Sequence, residues 1–225
     1  MITYLLAAGG VVLTTNFAWQ MWGVNAVSSN KQLTVADALT DKWANLPTTH
    51  YKVGEVPVFQ GKPVENEAFA KMYVPRLGHD WVRAIGEGVS VKNVLDKMGV
   101  GHYPSSELPG QLGNFAVAAH RTTYGAAFDD LDKMKPGDFV YLETGDGWYT
   151  YKVTGHKIVW PTDVDVIASV PRHPDEAPTE RYFTMTTCTP RHTAQKRLVV
   201  FSKFVGFTER ASGAPAEIAH FFVKK

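Results

Sequence analysis

Cys188 is the only cysteine in the 225-residue chain. It closes the run RYFTMTTC (181–188), whose β-branched and aromatic side chains are those of a strand. Pro190 has no N–H to give to a ladder and stops the run. After the loop PRHTAQK, a second apolar run, RLVVFSKF, opens with Arg197. If the two runs pair as antiparallel neighbours, Cys188 and Arg197 stand at paired ends on either side of that loop. A third apolar run, NFAVAAH (114–120), ends at His120, and its small Ala116, Ala118 and Ala119 permit close packing of a neighbouring strand.

These three side chains carry complementary chemistry. The thiolate is the nucleophilic form of cysteine, and a free thiol with pKa near 8.5 is only about 3% ionised at pH 7. An imidazole beside it takes the proton, or stands as imidazolium to protonate a leaving amine. A guanidinium is always charged and rigidly forked, so it holds a carbonyl or an oxyanion. Together they suit acyl transfer: attack on an amide, expulsion of an amine, and capture of the thioester by a second nucleophile. With ordinary pKa values, thiolate and imidazolium coexist in about 1% of molecules at pH 7. Each residue also has a plain structural reading. Cys188 fits as a small buried hydrophobe, His120 as a satisfied strand-end histidine, and Arg197 as a surface charge opening a strand.

At these residues the chain resembles the sortases, a family of Gram-positive transpeptidases. The resemblance rests on TMTTC (184–188) followed by Arg197 in RLVVF, and on His120 in AAHRTTYG (118–125). GHYPSSELPGQLGNFAVAAHRTTYG (101–125), FDDLDKMKPGDFVYLET and GWYTYKVTGHKIVWPTDVDVI are similar to class E sortases of actinobacteria, in the same order and spacing. Two positions depart from the pattern. Ala119 stands where glycine is common, and Met185 where leucine is, and neither carries a reactive atom.

The resemblance implies a mainly β, sortase-type barrel of eight strands with short helices in its loops. It implies Cys188 as nucleophile, His120 as general acid and base, and Arg197 as the group that stabilises the carbonyl and oxyanion. Thr187 and Tyr124 are expected to contact the sorting peptide. The implied substrates are exported proteins bearing an LPxTG or LAxTG signal, cleaved between Thr and Gly. The accepting amine belongs to a peptidoglycan precursor (lipid II) or, in pilus assembly, to a pilin lysine.

The elements that must position these groups are legible in outline. Strand-like runs follow one another from Phe69: FAKMYV, WVRAI, NFAVAAH, DFVYLE, WYTYKVTGHKIV, DVIASV, RYFTMTTC and RLVVFSKFVGF. Eight runs with turn residues between them suggest a closed or nearly closed β structure. Two helices are predicted. SVKNVLDKM (90–98) has Ser90 as N-cap and Gly99 at C′, and AFDDLDKM (127–134) is stopped by Pro136-Gly137.

Leu5–Val27 carries no charged residue and is long enough to cross a hydrocarbon core of about 30 Å, with Trp19 and Trp22 towards its end. The reading divides the chain into an N-terminal membrane anchor or helix (1–30), a stalk with a short helix (31–68), a catalytic barrel (69–207) and a C-terminal tail (208–225). It places the protein in the cell membrane as a single-pass protein with its catalytic domain outside.

Composition narrows the alternatives. A formal charge of +1 with scattered charges gives no case for nucleic acid. One cysteine excludes an internal disulfide framework and a cysteine-rich zinc site. No cofactor and no metal are expected, since Asp129, Asp130 and Asp132 read as the first turn of a helix. Two rivals remain. One is another cysteine peptidase or acyltransferase. L,D-transpeptidases keep their His within a few residues of the Cys, and a papain-like enzyme needs its Cys at a helix start, so neither fits TMTTC well. The other is a tethered β module that binds a partner and leaves Cys188 idle.

Overall fold

The computed structural model describes Trp19, residues 23–47 and residues 49–222. Eight strands close into a barrel: β1 (Ala68–Tyr73), β2 (Val82–Glu87), β3 (Gly99–His102), β4 (Gly113–Ala119), β5 (Phe139–Glu143), β6 (Gly147–Val159), β7 (Arg181–Thr189) and β8 (Lys196–Glu209). Their order around the wall is β1-β2-β3-β4-β7-β8-β6-β5. The β2–β3 and β4–β7 pairs are parallel, and the others are antiparallel.

Alternation in β4, β7 and β8 decides which side chains reach the core. Phe115, Val117 and Ala119 of β4, Phe183 and Met185 of β7, and Leu198 and Val200 of β8 belong to the barrel core. Their alternates therefore point outward. Closing the sheet leaves no edge strand open to a neighbour.

Seven of the predicted runs are strands, and the eighth strand lies elsewhere. DVIASV is not a strand: Val164–Ile167 is a 3₁₀ turn. The Asn114 side-chain amide donates to Ala168 O at 3.0 Å, so a carbonyl that a ladder would need is already used. Val166 and Ile167 pack instead on the outer face of β8, against Val199 and Phe201. The missing strand is β3, a Gly-Val-Gly-His segment. It follows Val91–Leu95, wound as a π-helix, and α-helical Asp96–Met98. Ser90 stands at the N-cap of that helical stretch without a side-chain capping bond, and Gly99 ends it at φ +89°. AFDDLDKM forms only the short 3₁₀ turn Leu131–Lys133.

Before the barrel, helix α1 (Val24–Ala44) lies on the wall and does not stand off it as a stalk. Ala36, Leu39 and Trp43 pack on Ala84 of β2. Beneath the helix, the buried Lys71 ammonium pairs with Glu143 at 2.7 Å and donates to Thr40 Oγ1 of α1 at 2.7 Å. After β8, Arg210 reaches back to Glu143 at 3.0 Å. The 3₁₀ segment Ala216–Phe222 seats Ile218 among Tyr73, Tyr141 and Trp148. Residues 1–18, where the expected anchor begins, lie outside the described residues. Among those described, no helix is long and apolar enough to cross a membrane.

Candidate active site

The end of β7 sets the site. Cys188 and Arg197 are direct partners in the antiparallel β7–β8 ladder, so their side chains share a face. Inward-facing Met185 and Leu198 fix that face as the outer one, and Cys188 is partly exposed there. On the other side, β4 runs parallel to β7, with Ala118 opposite Thr186. His120 and Cys188 each lie two residues further on, so both continue the outward row. The outer row just before them is Gly101, Ala118, Thr186 and Val199, one residue from each of β3, β4, β7 and β8. Most of this row is covered: Val94 and Leu95 lie over Gly101, the Tyr103 hydroxyl meets Thr186 Oγ1 at 2.9 Å, and Val159 and Val166 pack on Val199, so Ala118 is the one member of the row that is partly exposed.

His120 is held from two directions. Its Nε2 meets Asp96 Oδ1 at 2.8 Å, and both side chains are largely covered. Its carbonyl accepts the Phe128 N–H at 3.0 Å. The next residue, Arg121, is buried and ties the end of β4 to the end of β7. Its Nη1 donates to Thr189 Oγ1 at 3.0 Å, and its Nη2 pairs with Asp132 at 3.0 Å. A second bridge joins the loops that follow His120 and Cys188, where Arg191 pairs with Asp129 and Asp130. The three aspartates read as a helix turn thus serve as anionic partners of Arg121 and Arg191. Arg197 Nη1 donates to the carbonyls of Ala194 and Lys196, each at 3.0 Å, which turns its guanidinium back over the loop mouth.

The remaining expected contacts divide. Tyr124 is exposed, and its ring centroid lies 5.6 Å from that of His120. Thr187, expected at the peptide groove, is buried, and its hydroxyl donates to Ala119 O at 2.8 Å. It faces the core because it neighbours Cys188 along an alternating strand, and its role is to fasten β7 to β4. Asp96 and Arg121 were not singled out from the sequence. Arg121 adjoins the histidine in the chain, which is the signal that was there to be used. Asp96 sits in a predicted helix with no mark of its destination.

Among the described residues, one His/carboxylate group, His79, Asp80 and His220, brings ligand atoms within 4.8 Å of one another. It lies on other segments than those carrying Cys188, and its two imidazoles stack with centroids 3.9 Å apart.

A Sortase domain model matches residues 72–205, from β1 to β8. Sortase SrtE1 of Streptomyces coelicolor is 33% identical over 212 residues, covering 92% of this chain and 57% of that protein. The chain thus spans little more than half the length of this curated relative. The structure of sortase E from Streptomyces avermitilis is 41% identical with a TM-score of 0.62, over 69% of this chain and 99% of that one. The structure of Sortase E1 from Streptomyces coelicolor with a tripeptide in its active site is 36% identical with a TM-score of 0.64, over 70% of this chain and 99% of that one. A family match spanning the barrel wall, and with it His120, Cys188 and Arg197, shows that the chain belongs to the sortase family, in its class E branch.

Proposed function

We propose that the protein is a cysteine transpeptidase that cleaves an LPxTG- or LAxTG-type signal between Thr and Gly and passes the acyl group to a cell-wall amine. The observation that carries this reading is the pairing of Cys188 with Arg197 across β7–β8, with His120 next in the same outward row from β4. Membership of the sortase family and the tripeptide held in the active site of the Streptomyces coelicolor relative support it.

An extended peptide reaches the partly exposed Cys188 past Ala118 and the exposed Tyr124. The Cys188 thiolate attacks the Thr carbonyl carbon. The C–S bond forms, and the negative charge moves to the carbonyl oxygen, where Arg197 offsets it. Collapse of the intermediate breaks the C–N bond, and His120 gives its proton to the departing Gly amine. The acceptor amine then attacks the thioester carbon. Its proton passes to His120, and Cys188 leaves as thiolate, so the enzyme returns to its starting state.

The apolar run that starts at Leu5 is read as the membrane anchor, with the barrel outside the cell. A substrate held at the same membrane reaches a high effective concentration, which suits a site with a small reactive fraction. Incubation of the protein with LPxTG and LAxTG peptides and triglycine tests the reading. Peptide transferred to triglycine, with a thioester on Cys188 as intermediate, supports it. Hydrolysis without transfer points to a peptidase. Carbonate extraction and protease protection of membranes test the anchor and the side on which the barrel lies.

A further inference from the structure

We propose that helix α1 is a positioning element of the reaction: through Asn25 and Gln32 it holds the loop that carries His120 in register with the turn that carries Asp96. This inference rests on the reading of His120 as the catalytic acid and base.

The loop after His120 does not hold its own shape. Tyr124, Gly125 and Ala126 have φ of +50°, +84° and +44° in succession. A side chain rarely adopts that region, so such a run persists only where its surroundings impose it. The surroundings here come from α1. The Asn25 amide spans the turn, donating from Nδ2 to Thr122 O at 3.0 Å and accepting the Gly125 N–H on Oδ1 at 3.1 Å. Gln32, two helical turns on and therefore on the same face, donates from Nε2 to Tyr124 O at 2.7 Å.

Gln32 also touches the other half of the pair. Its Oε1 would lie 2.6 Å from a Cβ at Gly125 and 2.7 Å from one at Gly99. Gly99 ends the helical turn Asp96–Met98. Only glycine at both positions lets one amide lie between them. The side chain of Gln32 is thus wedged between the segment that presents His120 and the segment that presents Asp96, whose side chains meet at 2.8 Å.

Adhesion alone does not explain this arrangement. Ala36, Leu39 and Trp43 in the second half of α1 already dock the helix through apolar contacts. Gln32 is 0% exposed, and burying its amide costs desolvation that an apolar side chain would avoid. What the amide adds is direction: hydrogen bonds fix the height and tilt of the loop, and so the place of the imidazole. Small misplacements of reacting groups are costly to rate.

The test uses the full chain, a self-quenched LAETG peptide and triglycine. Gln32→Met keeps the volume and removes the amide, and Asn25→Ala opens the turn from a half-buried site. Both are expected to lower kcat by roughly 10- to 100-fold with KM within about twofold. Asn25→Asp keeps the acceptor for the Gly125 N–H and is expected to recover part of the loss. Leu39→Ala, at the docking half, is expected to lower Tm while kcat stays within about twofold. Wild-type kcat in both Gln32→Met and Asn25→Ala would overturn the proposal. So would a loss of kcat that simply follows Tm across all four variants. A wild-type chain that forms no thioester on Cys188 would instead remove the reading beneath it, and the proposal with it.

Discussion

Oδ1 of Asp96 lies 2.8 Å from Nε2 of His120, although one stands in the helical turn before β3 and the other just after β4. The carboxylate accepts the Nε2–H, which leaves Nδ1 as the nitrogen free to exchange a proton. The Asp96 carboxylate is spent on His120, so its effect passes through the histidine. Asp96→Asn is expected to lower kcat of transpeptidation roughly tenfold, with KM for the peptide unchanged. Steady-state kinetics separate the two constants, and a rise in KM alone would mean that Asp96 acts on peptide binding.

Arg197 is the direct cross-strand partner of Cys188, the proposed nucleophile. On the proposed mechanism its positive charge meets the developing oxyanion. Arg197→Ala is expected to slow thioester formation by about 10²- to 10³-fold. Arg197→Lys keeps the charge and loses the planar fork, so it should recover only part of that rate. Rapid-quench mass spectrometry of the adduct on Cys188 measures both.

The pairing of Cys188 with Arg197 was legible because two alternating runs flank a short loop, and one register satisfies both inward faces. His120 was legible because it ends a third alternating run. β3 was not, because Gly99–His102 contains one apolar side chain and two glycines and has no periodicity to read. DVIASV has strand composition, but its place is decided by the Asn114 amide and by the outer face of β8. Helix α1 was divided between the expected anchor (to residue 30) and stalk (from residue 31) because its buried stripe begins with Ser28 and Gln32, whereas Val24–Ala44 is one helix on the barrel wall. Polar residues at those positions look solvated until the loop they meet is known. The same reason hid the link from α1 to His120. Asp96 became visible only once the parallel β2–β3 crossover had set its helical turn beside the end of β4. Thr187, next to Cys188, turns its side chain the other way and is buried against Ala119, since adjacent residues of a strand face opposite ways.

Glu143 is completely buried and serves three partners at once: Lys71 at 2.7 Å, Tyr73 OH at 2.6 Å and Arg210 at 3.0 Å. Glu143→Gln leaves the buried Lys71 ammonium and the partly exposed Arg210 guanidinium facing a neutral amide. A loss of about 3–5 kcal/mol in folding stability is expected, read as a lower urea midpoint with an unchanged slope. The proposed catalytic residues His120, Cys188 and Arg197 lie on other strands or their ends, so kcat at a temperature well below Tm should be retained.

Alkaline pH is expected to destabilise the fold. Burial, with Asp146 beside it, pushes Tyr51 from 10.0 up to about 12. Burial likewise raises Tyr73, Tyr141, Tyr149 and Tyr151, with Glu143 adding to the effect at Tyr73 and Glu217 at Tyr141. The folded state then keeps protons that the unfolded chain releases near pH 10. The stability these groups contribute is fully present below that pH and is lost as pH rises towards the folded values. Burial lowers Lys71, which works in the opposite sense as pH approaches 10.5, but the raised tyrosines outnumber it. Urea unfolding should give a falling free energy between pH 10 and 12, and tyrosinate absorbance should rise with loss of the fold. Stability that stays flat across that range would contradict the buried tyrosine assignments.

The most direct test of the account is the fate of the Cys188 sulfur. Wild-type protein is mixed with an LAETG or LPETG peptide without acceptor, quenched in acid and mapped by mass spectrometry. The account predicts a peptide ending in Thr, joined as a thioester to Cys188, that disappears when triglycine is added and is absent from Cys188→Ala. Peptide cleavage that persists in Cys188→Ala, or an unmodified Cys188 while transfer proceeds, would contradict it.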